Sequence, residues 1–394
     1  MTREVVFVGA ARTAIGSYGG SLKDIPPADL GALVIKTALE RAGVQPKDVG
    51  HVVLGHVIPT IPQDAYISRV SALNAGVPQE APAYNVNRLC GSGLQAVVSA
   101  AQSILLGDCD VAIGAGAESM SRGAYLVTSN RWGARMGDVK MLDFMLGALH
   151  DPRLHIHMGI TAENVAARHG ISREQQDAYA TQSQQRAAAA IAAGLFKEQI
   201  VPVEIKTRKG VVLFDTDEGV KADTTVDALG KMKPAFKKEE GTVTAGNAST
   251  LNDGAAAVVM ASAEKAKALG LKPLARLVSY AHAGVEPEYM GIGPVPASKL
   301  ALEKAGLKVS DLDLIESNEA FAAQACAVSK EMGFPADKTN PNGSGISLGH
   351  PVGATGAILT TKAIYELQRT GGRYALITMC IGGGQGIAMV IERL

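Results

Sequence analysis

The 394-residue sequence predicts a layered α/β protein made of two related halves with a segment inserted between them. Three observations carry this. The first is internal repetition: Ala38-Leu39-Glu40-Arg41-Ala42-Gly43-Val44 returns as Ala301-Leu302-Glu303-Lys304-Ala305-Gly306-Leu307, a shift of 301 − 38 = 263 residues. Without a gap, the same shift lays Asp48-Val49 on Asp311-Leu312, Gly93 on Gly356, and Val111-Ala112-Ile113 on Tyr374-Ala375-Leu376. The second is alternation, because each half reads as an amphipathic helix, a short strand, a glycine-containing loop, an alanine-rich helix and a final apolar strand. The third is composition: 47% hydrophobic residues and 44 glycines suit a compact chain with a large core.

The elements follow in order. Val5 to Ala11 reads as a first strand; it is short for a secretory core and Arg12 stands where a cleavage region belongs. The first half spans 1–120 and is completed by about 247–274, and the second half spans 275–394. Between them, 121–246 changes character, with Trp132, many charges and a helical stretch from Arg173 to Gln199 that includes Ala187 to Ala190. We read it as an inserted loop domain, which by itself needs to be no more than a lid or an oligomer contact. No window reads as a membrane span of about 18 continuous apolar residues. Four scattered cysteines give no disulfide framework, so a reducing cytoplasm fits. Lys+Arg and Asp+Glu are 38 each, which leaves no overall field to recruit nucleic acid or an anionic membrane.

Cys90, in Asn87 to Gly93, and Cys380, in Met379 to Gly384, each sit where an apolar run gives way to glycines. Small neighbours leave the sulfur approachable and free the backbone N–H groups behind it. Cys90 precedes a helical run, Gly91 to Val98, whose dipole and free amides are expected to favour the thiolate, within about the 3.5–7.5 range of activated cysteines. Cys109, before an apolar strand, and Cys326, within a packed helix, read as inert. His350, between Gly349 and Pro351, is presented by a rigid turn as a base. Asn318, just after the strand Leu312 to Ile315, is either a polar site group or the cap of the next helix. The 263-residue shift places Cys90 on Gly353, three residues from His350, and Ala117 on Cys380, so a central site between the halves is expected.

Other chemistries fit poorly. His155 and His157 lack a third ligand at persuasive spacing, so no metal is expected. Gly382 to Gly386 has no Lys-Ser/Thr pair for a phosphate loop, and the first half opens without a dinucleotide fingerprint. A Gly-x-Ser-x-Gly elbow is also absent.

Taken together, the blocks Arg12-Thr13 with Gly16, Asn87 to Gly93, Gly116 to Met120, His157 to Gly159, Gly246 to Ser249, Asn318 to Phe321, Gly349 to Gly356 and Cys380 to Gly386 resemble the thiolase family, in its acetyl-CoA acetyltransferase and β-ketothiolase branch. The resemblance implies an α-β-α-β-α sandwich and a reversible Claisen condensation of two acyl-CoA molecules to a 3-ketoacyl-CoA plus free CoA. It makes Cys90 the acylated nucleophile, His350 its base and Cys380 the group that removes and returns the α-proton. It further implies that His350 and a water held by Asn318 serve the enolate, and that the N–H groups of Cys90 and Gly382 serve the tetrahedral intermediate. Gly382 suits that role if close backbone approach leaves no room for a side chain.

By the same resemblance, CoA contacts come from Leu149, His157, Met158, Lys221, Phe236, Ala245, Ser249, Ala320 and Phe321. Lys221 replaces a common arginine, Ala14 a frequent proline and His56 a common asparagine. No metal or redox cofactor is required, and a homotetramer with contacts around Ser121 to Met145 is implied. The stretches Arg131 to Asp138 and Gly147 to Pro152 are similar to β-ketothiolases that accept chains longer than acetyl, such as propionyl-CoA, as in polyhydroxyalkanoate precursor synthesis. The alternatives are a degradative 3-ketoacyl-CoA thiolase, a decarboxylating ketoacyl synthase, which carries a second histidine where Cys380 stands, and a CoA-binding protein without catalysis.

Overall fold

The structure, a computed structural model, describes residues 3–394. Its main sheet runs in the order Leu314–Ser317, Tyr374–Ile381, Gln385–Arg393, Ala275–Gly284, Val5–Arg12, Asn252–Ser262, Val111–Ser119, His51–Gly55, Ala83–Val86. The order is nearly palindromic. On either side of the central pair stands an antiparallel strand, then a second antiparallel strand, then a parallel one. Within the sheet, the two halves pair at Val6 opposite Arg276 and Phe7 opposite Ala275 among the described residues. Ala83–Val86 has its counterpart in a single parallel bridge between Thr339 and Ile315.

The repeat read from the sequence is the repeat of the fold. Helices Ser92–Leu106 and Thr355–Thr370 start 355 − 92 = 263 residues apart, and strands Val111–Ser119 and Tyr374–Ile381 start 374 − 111 = 263 apart. These two helices lie side by side in the middle of the molecule. Leu94, Val97 and Ile104 from one and Leu359, Ile364 and Leu367 from the other share a core with Phe7, Val53, Met260, Ile377 and Ile391 from both half-sheets. Gly93 and Gly356, paired by the repeat, allow the helix starts to touch: a Cβ on Gly356 would lie 2.0 Å from Leu94 N, and one on Gly93 2.8 Å from Ala357 N. Outside, helix Pro27–Ala42 covers the first half-sheet with Leu30, Val34 and Ile35, and Pro294–Ala305 covers the second with Val295 and Leu302. The result is five layers, α-β-α-β-α. Each fully buried Leu or Ile in them contributes roughly 1.5–3 kcal/mol.

One expectation changes here. The window Leu89–Leu106 does have the length and apolarity of a membrane span, but two-thirds of it is buried inside the protein (67%) as the central helix. A helix apolar all round is what a two-sided core position requires.

In the second half, strands Tyr374–Ile381 and Gln385–Arg393 are joined by Gly382, Gly383 and Gly384; in the first, residues 120–251 fill the equivalent junction. This long excursion carries helices Met158–His169 and Arg173–Ala192 and a hairpin of Val203–Thr207 with Gly210–Phe214. Ser172 and Gln175 form a capping box at the start of the longer helix. The helix ends at Ala192, short of the expected Gln199, because Gly194 turns the chain with φ +70°. Buried Arg12 ties the excursion to the first strand, donating to both oxygens of Asp217 at 2.7 and 2.9 Å and to Gln199 Oε1 at 2.7 Å.

Candidate active site

The loop before the central helix of the first half is held by its own side chains. Asn87 Oδ1 accepts from Leu89 N at 2.9 Å, and Ser92 Oγ accepts from Arg88 N at 2.8 Å while donating to Leu89 O at 2.7 Å. Leu89 pays for this turn with φ +46°, a left-handed conformation that a leucine seldom adopts. The strain places Cys90 one residue ahead of Gly91, which caps the helix. The backbone N–H groups of Gly382 and of Cys90 itself act on the sulfur in favour of its ionised form.

The expected thiolate is not what this setting favours at rest. Burial is the largest influence on Cys90 and pushes its thiol up; the two N–H groups lower it, the Glu118 carboxylate raises it again, and the net shift is upward. The helix dipole is outweighed by desolvation.

His350 follows Gly349, whose φ of +116° and contact with Asn252, 2.6 Å from an added Cβ, admit only glycine. Asn252 Oδ1 accepts the His350 backbone N–H at 2.8 Å. The imidazole Nδ1 lies 2.7 Å from Thr355 Oγ1, and that hydroxyl donates to Pro351 O at 2.9 Å. With its proton committed to Pro351, Thr355 accepts from His350 Nδ1–H, and Nε2 is left with a lone pair. Asn318 Nδ2 lies 3.3 Å from Nε2, consistent with that tautomer. Burial drives His350 down to about 4, so the ring is neutral near pH 7. Thiol and imidazole therefore rest as a neutral pair.

Asn318 is fully buried after strand Leu314–Ser317, its N–H bonded to Thr378 O at 2.9 Å and its Oδ1 without a protein partner. It caps no helix; the next one begins at Ala322 behind Phe321. Cys380 is the last residue but one of strand Tyr374–Ile381, at 0% exposure, in a cluster with Met158, Ala248, Met290, Ala320 and Phe321. Burial first, then the nearby Cys90, pushes its thiol far above the ordinary range. Gly382 is less crowded than expected: an added Cβ would meet only the Leu89 and Met158 side chains, at 3.3 and 3.4 Å. Its neighbours carry the constraint, since Gly383 and Gly384 both have φ +79° and a Cβ on Gly384 would lie 2.3 Å from Val285 O. Cys109 and Cys326 stay apart from this region, raised to about 11 and about 12 mainly by burial, as inert thiols should be.

Cys90 and His350 open into one predominantly apolar cleft of about 640 Å³. Cys380 does not line the cleft; it is buried in a cluster that includes the cleft residues Met158, Ala248, Met290, Ala320 and Phe321, near enough to Cys90 for the two thiols to influence each other. Every residue expected from the resemblance to touch CoA lines the same cleft. Leu149, His157, Met158, Phe236 and Phe321 supply much of its apolar and aromatic lining. His157 stacks on Phe236 with ring centres 4.7 Å apart, and Phe321 meets Phe236 edge-on at 6.2 Å. Ala245, Ser249 and Ala320 lie on two segments joined by a Ser249 N–H to Ala320 O bond of 2.9 Å, and exposed Lys221 stands at the mouth.

The family model for the thiolase N-terminal domain matches residues 5–264, and that for the thiolase C-terminal domain matches 271–393. This chain belongs to the thiolase family. Like other thiolases it is an enzyme built for CoA thioesters. It is 68% identical to the beta-ketothiolase BktB of Cupriavidus necator, over all of both chains. With the acetyl-CoA acetyltransferase of Chromobacterium violaceum it shares 54% identity over 99% of this chain and all of the other. Human mitochondrial 3-ketoacyl-CoA thiolase in complex with CoA superposes with a TM-score of 0.96 at 45% identity, covering 100% of this chain and 98% of that one.

Four groups in this thiolase site carried no assigned role from the sequence. Thr355 orients His350, and Asn252 fixes the backbone beside it. Buried Glu118 accepts from Val57, Ile58 and Gly353 N–H groups, and His56 contacts Glu118. Glu118 and Thr355 fall inside blocks that carry the family resemblance and His56 is a departure from it, but no local pattern assigns any of the four a task.

Proposed function

We propose that this thiolase condenses two acyl-CoA molecules reversibly to a 3-ketoacyl-CoA plus CoA, forming acetoacetyl-CoA and accepting longer acyl groups such as propionyl. The observation that carries the reading is the meeting of Cys90 and His350 in one cleft with Cys380 buried close to Cys90, although the two cysteines stand 290 residues apart in the chain (380 − 90).

His350 Nε2 takes the Cys90 proton as the sulfur attacks the first thioester, and the Cys380 thiol gives its own proton to the departing CoA sulfur, which leaves Cys380 ionised. The acyl group is then on Cys90. Ionised Cys380 removes the α-proton of the second acyl-CoA; a base whose affinity for protons is raised by burial lies closer to so weak a carbon acid. The resulting enolate oxygen is held by His350 and by a water on Asn318, whose buried Oδ1 is the free acceptor that such a water requires. Attack on acyl-Cys90 puts charge on the carbonyl oxygen, where the N–H groups of Cys90 and Gly382 stabilise it; the C–S bond breaks, Cys90 recovers from His350 the proton it gave up, and Cys380 keeps the α-proton. Thioesters need positioning, a base and charge stabilisation, all supplied by side chains and backbone.

CoA would be held by Leu149, His157, Met158, Lys221, Phe236, Ala245, Ser249, Ala320 and Phe321, and Lys221 would meet phosphate as a point charge rather than a fork. A homotetramer is supported by apolar side chains left exposed on residues 121–146, with Trp132 88% and Met136 97% exposed. Four free cysteines suit the cytoplasm. Thiolysis of acetoacetyl-CoA and of five-carbon to ten-carbon 3-ketoacyl-CoA, each with CoA, tests the assignment. Activity on the four- and five-carbon substrates is expected; none on any substrate would leave a CoA-binding protein, and a preference for ten carbons would favour the degradative alternative.

A further inference from the structure

Outside the reacting groups, one buried ionisable cluster stands out, and it contains the His56 that departs from the family pattern. His56 (8% exposed) follows strand His51–Gly55 and is enclosed by Glu118 (0%) from strand Val111–Ser119 and Asp64 (4%) from the turn Pro62–Tyr66. Its Nδ1 lies 2.9 Å from Ala117 O, which can only accept, so Nδ1 carries a proton; the same atom is 3.2 Å from Glu118 Oε1. On the other side Nε2 has no hydrogen-bond partner and lies 3.8 Å from Asp64 Oδ2. No cation other than His56 contacts either carboxylate among the described residues.

Glu118 is a clasp between the two halves. Oε2 accepts from Val57 N at 3.1 Å and from Gly353 N at 2.8 Å, and Oε1 accepts from Ile58 N at 3.1 Å. All its partners are donors, so the site is made for the anion. Gly353 belongs to the loop that carries His350, and an added Cβ there would lie 2.4 Å from Glu118 Oε2. The Glu118 charge also reaches Cys90 and opposes its ionisation.

We propose that His56 is a positively charged positioning residue that neutralises Glu118 and Asp64, keeps the Glu118 clasp on Gly353 closed, and thereby holds the His350 loop against the Cys90 loop. A buried carboxylate without a counter-charge would take up a proton or water and lose its grip on the Gly353 N–H. A cation on His56 also offsets the Glu118 field at Cys90. Burial by itself pushes His56 down, but the Glu118 charge, the hydrogen bonds to Glu118 and Ala117, and the Asp64 charge together lift it above its ordinary value of 6.5. The stabilisation is therefore complete below about pH 6.5 and lost as pH rises through the elevated folded value.

The test compares the full-length enzyme with His56→Asn, which keeps a donor for Ala117 O but has no charge. The Tm difference should be greatest below about pH 6.5 and shrink toward pH 9, and kcat at pH 7 should fall on the order of tenfold with KM unchanged. A Tm difference flat across this range, or kcat within twofold of wild type, overturns the inference. Should His56→Asn not fold, histidine ring nitrogen shifts in the wild type decide: a doubly protonated His56 at pH 7 is expected and a neutral ring overturns it. The kcat arm rests on the base role of His350; the Tm and ring-shift arms do not, so either reading can fail alone.

Discussion

Replacing Thr355 by valine examines how the base is set. Valine keeps the shape of the side chain and removes the hydroxyl that accepts from His350 Nδ1 at 2.7 Å. A buried N–H left without a partner costs about 1–3 kcal/mol. The ring has an escape: moving its proton to Nε2 would let it donate to Asn318 Oδ1, which lacks a protein partner, once the amide turns over. That tautomer cannot take a proton from Cys90. At about 1.4 kcal/mol per decade, the cost converts to roughly a 5- to 140-fold loss in kcat. Substrate binding should be spared, because Thr355 does not line the cleft. Steady-state thiolysis of acetoacetyl-CoA gives kcat and KM, and Thr355→Ser should restore most of the rate. A Thr355→Val enzyme within twofold of wild type in kcat would refute the hydroxyl's role in fixing the tautomer.

The pH dependence should be unusual for a histidine enzyme. With His350 brought down to about 4 by burial, kcat/KM should hold from pH 8 to about pH 5.5, where a group at 6.5 would already have lost about tenfold. The same depression costs stability in acid: below about 6.5 the unfolded chain takes up a proton that folded His350 refuses, so Tm should decline toward pH 4, less steeply in His350→Asn. Arg12→Ala should destabilise by about 3–5 kcal/mol in urea, leaving Asp217 buried without its partner; a loss under 1 kcal/mol would mean that the pair carries little. Sedimentation should give a tetramer, and Trp132→Glu with Met136→Glu should weaken it; a wild-type monomer would rule out that role for the exposed apolar loop.

Much of this was legible in the sequence because its causes are local or periodic. The 263-residue shift reappears as the offset between helix starts at Ser92 and Thr355, since equal sequence spacing reflects equal structural units. Glycines beside Cys90, His350 and Cys380 mark backbone that must turn sharply or approach closely, and Gly349 and Gly384 do both. The remainder depends on partners that no local pattern reveals. Whether Cys90 rests as thiol or thiolate follows from burial that outweighs the helix dipole, a competition settled only by packing. Glu118 reads as one more polar residue at a strand end until Gly353 arrives from the other half. The Leu89 turn goes against the preference of its own side chain and is imposed by Asn87 and Ser92. An apolar window such as Leu89–Leu106 cannot reveal whether lipid or two sheets will cover it.

The division of labour between the two sulfurs is tested most directly by intact-mass spectrometry of Cys90→Ser and Cys380→Ser after exposure to acetyl-CoA, with wash-in of solvent deuterium at the acetyl methyl group measured in parallel. Cys380→Ser should gain one acetyl group, on Cys90, and show no deuterium wash-in, whereas Cys90→Ser should gain none. Acetylation of Cys90→Ser at Cys380, or a Cys380→Ser enzyme that still exchanges the methyl protons at the wild-type rate, would contradict the assignment.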